Sequence, residues 1–273
     1  MSGTPFYKMT GSGNDFVMLD GRATAPNAWP EDRVRAICDR RNGVGADGLV
    51  ILTPSTPGAV RMSYWNSDGS HGAMCGNAAL CSGRLSVDLG MVPLGEFCLL
   101  TDAGLVRVIS LAQADQAEIN LPDCEIPLDL PDFRPEAGER WFSLGTVGVP
   151  HLVVRVNDVE SVDVAARGRT LRSDPRVGPV GANVNFVSPP REGGSWLIRT
   201  FERGVEGETL ACGTGTVAAA LALARRREAT LPLAFRSRGG PELAVRAQPD
   251  GSRATEVWLA GQGRLLFRGV WEG

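Results

Sequence analysis

Two cysteines in this chain are each followed by glycine at the start of a helix-forming run: Met74-Cys75-Gly76-Asn77-Ala78-Ala79 and Ala211-Cys212-Gly213-Thr214-Gly215-Thr216. A cysteine at a helix N-terminus sits beside unpaired backbone N–H groups and the positive end of the helix dipole, and both favour thiolate over thiol. The glycine after it lets a ligand approach the backbone, where a substrate carboxylate can accept hydrogen bonds from the same helix end. Two such helices facing one amino acid would set an acid and a base on opposite faces of its α-carbon. Donors aimed at the carboxylate would stabilise the carbanion-like state as the α-proton leaves. That is an apparatus for inverting a carbon centre, with Cys75 and Cys212 exchanging roles in the reverse reaction. A reading as two buried cysteines that happen to begin helices accounts for either one alone better than for the pair.

The remaining composition excludes several other chemistries. Cys38, Cys81, Cys98 and Cys124 complete a set of six cysteines, but the N-terminus, Met1-Ser2-Gly3-Thr4-Pro5, carries no export signal, so a disulfide framework is not expected. Cys38, Cys81 and Cys98 are expected to act as small buried hydrophobes. No C-x-x-C occurs, and only His71 and His151 could complete a zinc site, so no metal is expected. Lys8 is the only lysine and falls in a predicted strand, which argues against a pyridoxal-phosphate Schiff base. The mechanism is expected to need no cofactor. Gly213-Thr214-Gly215-Thr216-Val217-Ala218 fits a dinucleotide-binding G-x-G-x-x-A, but a polar loop, Gly204–Thr209, is expected to separate it from the preceding strand, and the flanks do not read as βαβ. A net charge of −3 gives no electrostatic case for nucleic acid or an anionic membrane. No run approaches the ~18 apolar residues of a membrane span. The expectation is a cytoplasmic protein whose partner is a small molecule.

The elements that must position the cysteines repeat. Strands are expected at Phe6–Thr10, Phe16–Asp20, Leu49–Thr53, Val60–Trp65, Phe97–Thr101, Leu105–Leu111 and Ala117–Leu121, with helices over Glu31–Arg40 and from Cys75 towards Gly90. After Pro122 come strands near Trp141–Val147, His151–Val156, Asn183–Val187 and Trp196–Phe201, a helix over Val217–Arg227, and strands at Leu233–Arg236, Leu243–Ala247, Thr255–Ala260 and Leu265–Arg268. Each half is thus a sheet interrupted late by one helix that begins at a Cys-Gly. The fold class is α+β with two pseudo-symmetric domains, 1–120 with 261–273 returning to it, and 121–260. Leu121–Pro135, acidic and proline-rich, reads as the linker, and Ser188–Ser195 as a hairpin loop.

Thr10-Gly11-Ser12-Gly13-Asn14-Asp15-Phe16, Gly43-Val44-Gly45-Ala46-Asp47-Gly48, Asn66-Ser67-Asp68-Gly69-Ser70, the Cys75 motif, and Glu202-Arg203-Gly204 through Cys212-Gly213-Thr214-Gly215 together resemble the diaminopimelate epimerase family, in family order from residue 8 onward. The resemblance implies two similar domains, each a mixed sheet or barrel wrapped round a central helix, with the active site in the cleft between them. It implies a cofactor-independent isomerase that interconverts LL- and meso-diaminopimelate for lysine and peptidoglycan synthesis, and a homodimer. Carried over by position, Cys75 and Cys212 are the acid/base thiols, and His151 and Glu202 tune them. Asn14, Asn66 and Asn183 would hold the substrate's polar groups, with Glu202 and Arg203 at its far end. The backbone of Gly76-Asn77 and Gly213-Thr214 would cradle the reacting carboxylate. Arg203 can hold a carboxylate in a fork, and Glu202 can accept from an ammonium or imidazole.

Without the resemblance, Asn14 and Asn183 read as turn residues, and His151 as a hydrogen-bonded residue at a strand end. Asp15, Asp47 and Asp68 read as turn or cap residues and His71 as a surface residue. The chain departs from the family pattern at Val149, where many members carry Asn, at Gly48, where some carry Gln, and in one extra residue around Val205-Glu206. Two other functions fit the residues less well. One is a racemase for another amino acid, of the proline or histidine type. The other is a thiol redox or ligand-binding protein, which the lack of C-x-x-C argues against.

Overall fold

In each half of the chain one helix is apolar on nearly every side, and the strands around it keep it dry. A computed structural model describes residues 3–112, 115–190 and 193–273. The chain divides into two compact units, Met1–Asn120 with Ala260–Gly273, and Leu121–Leu259.

In the first unit, strand Thr4–Gly11 pairs antiparallel with both Arg264–Trp271 and Asn14–Asp20. Helix α1, Glu31–Cys38, then carries the chain across to Gly48–Pro54, parallel to Asn14–Asp20. Ala59–Asn66 returns antiparallel. Helix α2, Gly76–Asp88, makes the second crossover, to Gly95–Thr101, and two antiparallel strands, Gly104–Ser110 and Gln116–Leu121, complete the sheet. The outer helix α1 buries only Val34, Ile37 and Cys38, against Val17, Leu19, Leu49 and Ile51 of one sheet face. The central helix α2 buries Asn77 through Gly83 as well as Leu85 and Ser86. A sheet covered on both faces has no polar side, which explains the unbroken apolar run Phe16–Leu19.

The second unit runs through the same order. Glu139–Val147 and Val149–Val156 form a hairpin, helix α3, Val164–Arg172, crosses to the parallel strand Asn183–Ser188, and Trp196–Glu202 returns antiparallel. Helix α4, Gly213–Arg225, then crosses to Leu233–Arg236, parallel to Trp196–Glu202, and Glu242–Asp250 follows antiparallel. The outer helix α3 covers a core of Phe142, Leu152, Val154, Val184, Phe186 and Phe201. The central helix α4 buries Gly215 through Leu223 without a break. Among the described residues no helix is long and apolar enough to cross a membrane.

Five sequence expectations are corrected here. The second unit has two helices rather than one. The second unit's outer helix α3 escapes a propensity reading because of Gly168, and its signal is Asp163, whose side chain accepts from the Ala166 N–H at 3.0 Å as an N-cap. Helix α1 ends at Cys38, not Arg40, because Asp39 leaves the helical region and takes the backbone N–H groups of Arg41 and Asn42 on its own carboxylate. Helix α4 begins directly after Cys212, as the Cys-Gly motif predicts, so Val217–Arg227 covers only its later turns and overruns its end at Arg225. Leu121–Pro135 is no bare linker, since Cys124–Glu125 pairs with Arg253–Ala254 and Leu128–Asp129 with Ser143–Leu144. Finally, α4 and its flanking strands are a parallel βαβ unit, and Gly207–Thr209 is a strand rather than loop. The dinucleotide motif therefore fails only on the hairpin excursion between Glu202 and Gly213. The hairpin loop expected over Ser188–Ser195 includes 191–192, and the N-terminal motif includes 1–2; these lie outside the described residues.

Close packing of α3 gives a test of this architecture. A Cβ on Gly168 would lie 2.4 Å from the Phe201 Cβ. Replacing glycine by alanine inside a helix ordinarily gains up to about 1 kcal/mol, but overpacking costs about 1–3 kcal/mol. Gly168→Ala is therefore expected to lower the urea midpoint, and a raised midpoint would show that α3 does not press on Phe201.

Candidate active site

Cys75 and Cys212 are each the residue immediately before a central helix, in extended conformation with φ of −138° and −132°. The carbonyl of each accepts from the first helical turn, Cys75 from the Ala79 N–H at 2.9 Å and Cys212 from the Thr216 N–H at 3.0 Å. The N–H groups of Gly76-Asn77 and of Gly213-Thr214 lie in those first turns, where no intrahelical carbonyl can reach them. Each pair is free to meet a carboxylate, as a helix N-terminus does.

In the second unit the structure gathers six of the residues singled out in the sequence. Cys212 Sγ lies 3.6 Å from Thr214 Oγ1, which lies 3.0 Å from His151 Nε2. His151 is fully buried, on the strand paired in parallel register with Asn183. Asn183 Oδ1 accepts the Arg203 backbone N–H at 2.8 Å, so this asparagine fixes the turn that presents Glu202 and Arg203. The Arg203 guanidinium donates to the Val180 carbonyl at 3.3 Å. The extra Val205-Glu206 forms an exposed turn, pinned where Glu206 Oε1 accepts from Gly204 N–H and Arg172 Nε.

The helix end does not lower the Cys212 thiol as its sequence position predicts. Burial pushes it up to about 12, and the Glu202 carboxylate adds to the rise, while the Gly215 N–H and the Thr214 hydroxyl oppose it. Burial also holds His151 down at about 4, against the pull of the Val147 carbonyl and with help from the Arg203 charge, so the ring is neutral at pH 7. Of the remaining cysteines, Cys38 and Cys124 are raised to about 12 and about 11 by burial, which makes them poor nucleophiles, and Cys81 is raised for the same reason. Cys98 is only partly buried, contrary to the sequence expectation, because it falls on the open face of its alternating strand.

In the first unit, two aspartates that read as turn residues hold the asparagines. Asp47 accepts from Asn14 Nδ2 at 2.9 Å and from the Asp15 backbone N–H at 3.2 Å, and Asn14 Oδ1 in turn accepts from Asn77 Nδ2 at 2.7 Å. Arg40 bridges Asp15 and Asp47 at 2.6 and 2.7 Å. The buried Lys8 closes the network on Asp15 at 2.5 Å and donates to the Gly45 carbonyl. Asn14 is left with one N–H and one lone pair for a ligand. Asn66 is fixed differently: Tyr64 donates to its Oδ1 at 2.8 Å and its Nδ2 donates to Ser70 Oγ at 2.9 Å. The Trp65 carbonyl and the Tyr64 ring together explain Gly48, because a Cβ there would lie 2.5 Å from the one and 2.7 Å from the other. Asp68 keeps its turn role by accepting from Ser70. His71 stays at the surface, 3.3 Å from Asp102. Among the described residues no cluster of His, Cys, Asp and Glu could hold a metal ion.

The network makes acid stability measurable. Burial raises the Asp15 carboxyl, but hydrogen bonds from Arg40 and Lys8 and their charges more than offset it and hold it at about 2, below its ordinary 3.8. A depressed carboxyl contributes stability above its unfolded value and loses it as pH falls through the folded one. The gap amounts to about 2 kcal/mol. The stability difference between wild type and Asp15→Asn, followed by urea unfolding, should shrink by about that amount between pH 5 and pH 2. A difference independent of pH would show that Asp15 does not carry this charge network.

Comparison with known proteins gives the family and the fold. The diaminopimelate epimerase family model matches residues 6–121 and again 144–258. A diaminopimelate epimerase of Gemmatimonas aurantiaca is 44% identical, over 97% of this chain and 98% of its own, and one of Chlorobaculum tepidum is 36% identical over 96% and 99%. Among solved structures, a PhzF-family phenazine biosynthesis protein of Bacillus anthracis shares the fold, with TM-score 0.73 at 14% identity over 99% of both chains. With the family matched in both halves and relatives aligned end to end, this chain belongs to the diaminopimelate epimerase family.

Proposed function

We propose that this protein is a cofactor-independent isomerase that interconverts LL- and meso-diaminopimelate, with Cys75 and Cys212 as its two acid/base groups. The observation that carries the reading is the repeated unit, in which a Cys-Gly opens the central helix of each half. Its relatives' names give the substrate.

In the forward direction one thiolate takes the α-proton while the opposite thiol delivers its own, and the reverse reaction exchanges them. The N–H groups of Gly76-Asn77 and Gly213-Thr214 receive the charge that moves onto the carboxylate. Asn14, Asn66 and Asn183, with Glu202 and Arg203, recognise the second amino-acid end, and His151 with Glu202 sets the basicity of Cys212. Burial of Cys212 favours this chemistry in one respect, because a thiolate formed in a dry site is the stronger base toward a weakly acidic C–H. None of the six cysteines forms a disulfide, which suits a reducing cytoplasm. The exposed Leu266, Phe267 and Val270 on one strand suit the face of a homodimer.

Incubation with LL-diaminopimelate and chiral analysis of the product tests the activity, and Cys75→Ala and Cys212→Ala test the thiols. Each variant should fold and lose several orders of magnitude in kcat, beyond the roughly 10²–10⁴-fold of a single acid/base group. Near wild-type turnover in either variant would remove the two-thiol mechanism. Comparable turnover of proline or histidine would point to a general amino-acid racemase, and thiol oxidation without epimerisation to a redox protein.

A further inference from the structure

Behind His151 lies a residue that no motif marks. Asn185 is fully buried on the strand Asn183–Ser188, two positions beyond Asn183 and on the same face. Both protons of its amide are engaged. Nδ2 donates one proton to the Leu152 carbonyl at 3.3 Å and faces His151 Nδ1 at 3.2 Å with the other, while Oδ1 accepts from the Thr200 hydroxyl at 3.0 Å. The Leu152 carbonyl fixes which end of the amide is nitrogen. Turned over, the amide would set its oxygen against that carbonyl and lose a hydrogen bond. The partner of His151 Nδ1 is therefore an N–H. A neutral imidazole carries one proton, and with a donor facing Nδ1 that proton belongs on Nε2.

The choice of tautomer has a consequence at the sulfur. With a proton on Nε2, His151 donates to Thr214 Oγ1, and the single Thr214 hydroxyl proton is free to point at Cys212 Sγ. With the proton on Nδ1, Thr214 would instead donate to the bare Nε2, and the sulfur could join the chain only as a thiol donor. The first arrangement favours the thiolate and the second the thiol. We infer that Asn185 is a positioning residue, which holds the His151 proton on Nε2 and so aims the hydrogen bonds from His151 through Thr214 at Cys212 Sγ. The helix packing is built around it, since a Cβ on Gly215 would lie 2.1 Å from Asn185 Oδ1 and 3.3 Å from Cys212 Sγ. Only glycine at 215 lets α4 bring the sulfur this close to the chain of donors. Other groups act on the same pair: the Glu202 carboxylate opposes the thiolate, the Arg203 charge opposes a charged ring, and the Val147 carbonyl favours a proton on the ring. A proton held by Val147 at Nδ1 would point an N–H at an N–H, which is the competing arrangement the test must exclude.

The inference rests on the epimerase reading for its catalytic consequence, but its physical core is measurable without substrate. The chain has two histidines. A long-range proton–nitrogen correlation spectrum of ¹⁵N-labelled protein at pH 7 will show two imidazoles, with His71 assigned through His71→Gln. His151 should show a pyrrole-type Nε2 and a pyridine-type Nδ1. Asn185→Asp puts an acceptor against Nδ1, so it should move the proton there and lower kcat about 10–100-fold, the usual effect of losing a partner that orients a histidine, with KM little changed. A wild-type His151 protonated on Nδ1, or exchanging between tautomers, overturns the inference, and this holds even if the aspartate variant fails to fold. A variant that keeps its proton on Nε2 with full kcat overturns it too, as does a moved proton with unchanged kcat. An Nε2–H ring in a protein that does not epimerise diaminopimelate would leave the tautomer assignment standing and defeat the functional reading alone.

Discussion

A sulfur kept dry must still be able to hold a negative charge, and the second unit is arranged around that conflict. The rise of Cys212 from 9.0 to about 12 is on the order of 4 kcal/mol against the thiolate. A helix N-terminus offers typically 0.3–1 kcal/mol and up to about 2 kcal/mol when partly buried, so the dipole alone loses. The Thr214 hydroxyl and the Gly215 N–H already act against that rise, and without them burial would hold the sulfur still more firmly as a thiol. The apolar run Val217–Leu223 belongs to the same constraint, because it sinks the helix far enough into the sheet to bring its first turn against His151 and Asn185.

The first unit solves a positioning problem by another route. Its buried Lys8, the one lysine of the chain, is stabilised only because Asp15 lies beside it, and a buried charge without such a partner is costly. Arg40 extends the pairing to Asp47, which orients Asn14, which in turn orients Asn77 at the start of α2. Charges held by their pairing thus determine where neutral amides point. Tyr64 performs the same service for Asn66, in space left open by Gly48.

The strands and both cysteine helices were legible in the sequence because alternation and apolar runs follow directly from a sheet covered on both faces. Helix α3 was hidden by Gly168, whose missing side chain serves contact with Phe201 rather than helix propensity. In α4 the Cys-Gly motif marked the start, although the glycines at 213 and 215 keep helix propensity low until Val217. Residues in the paired Cys-Gly motifs stood out because their chemistry is local. Asp15, Asp47 and Asn185 did not, since each acts through a partner distant in sequence: Lys8, Asn14 and His151. One signal for Asn185 was present, two asparagines at alternate positions of a wholly buried strand. A buried polar group of that kind must have partners.

The most direct measurement of the two-thiol chemistry follows the α-proton itself. The reaction would be run in heavy water to low conversion, with the deuterium content of product and residual substrate read by mass spectrometry. With one thiol on each face, the abstracted proton stays on the first sulfur while the second delivers a deuteron already exchanged with solvent. Inverted product should therefore carry one α-deuterium nearly always, while unreacted substrate carries little. A single base moving between faces would return part of the original proton. Substantial protium at the inverted centre would contradict the assignment of Cys75 and Cys212 as a pair.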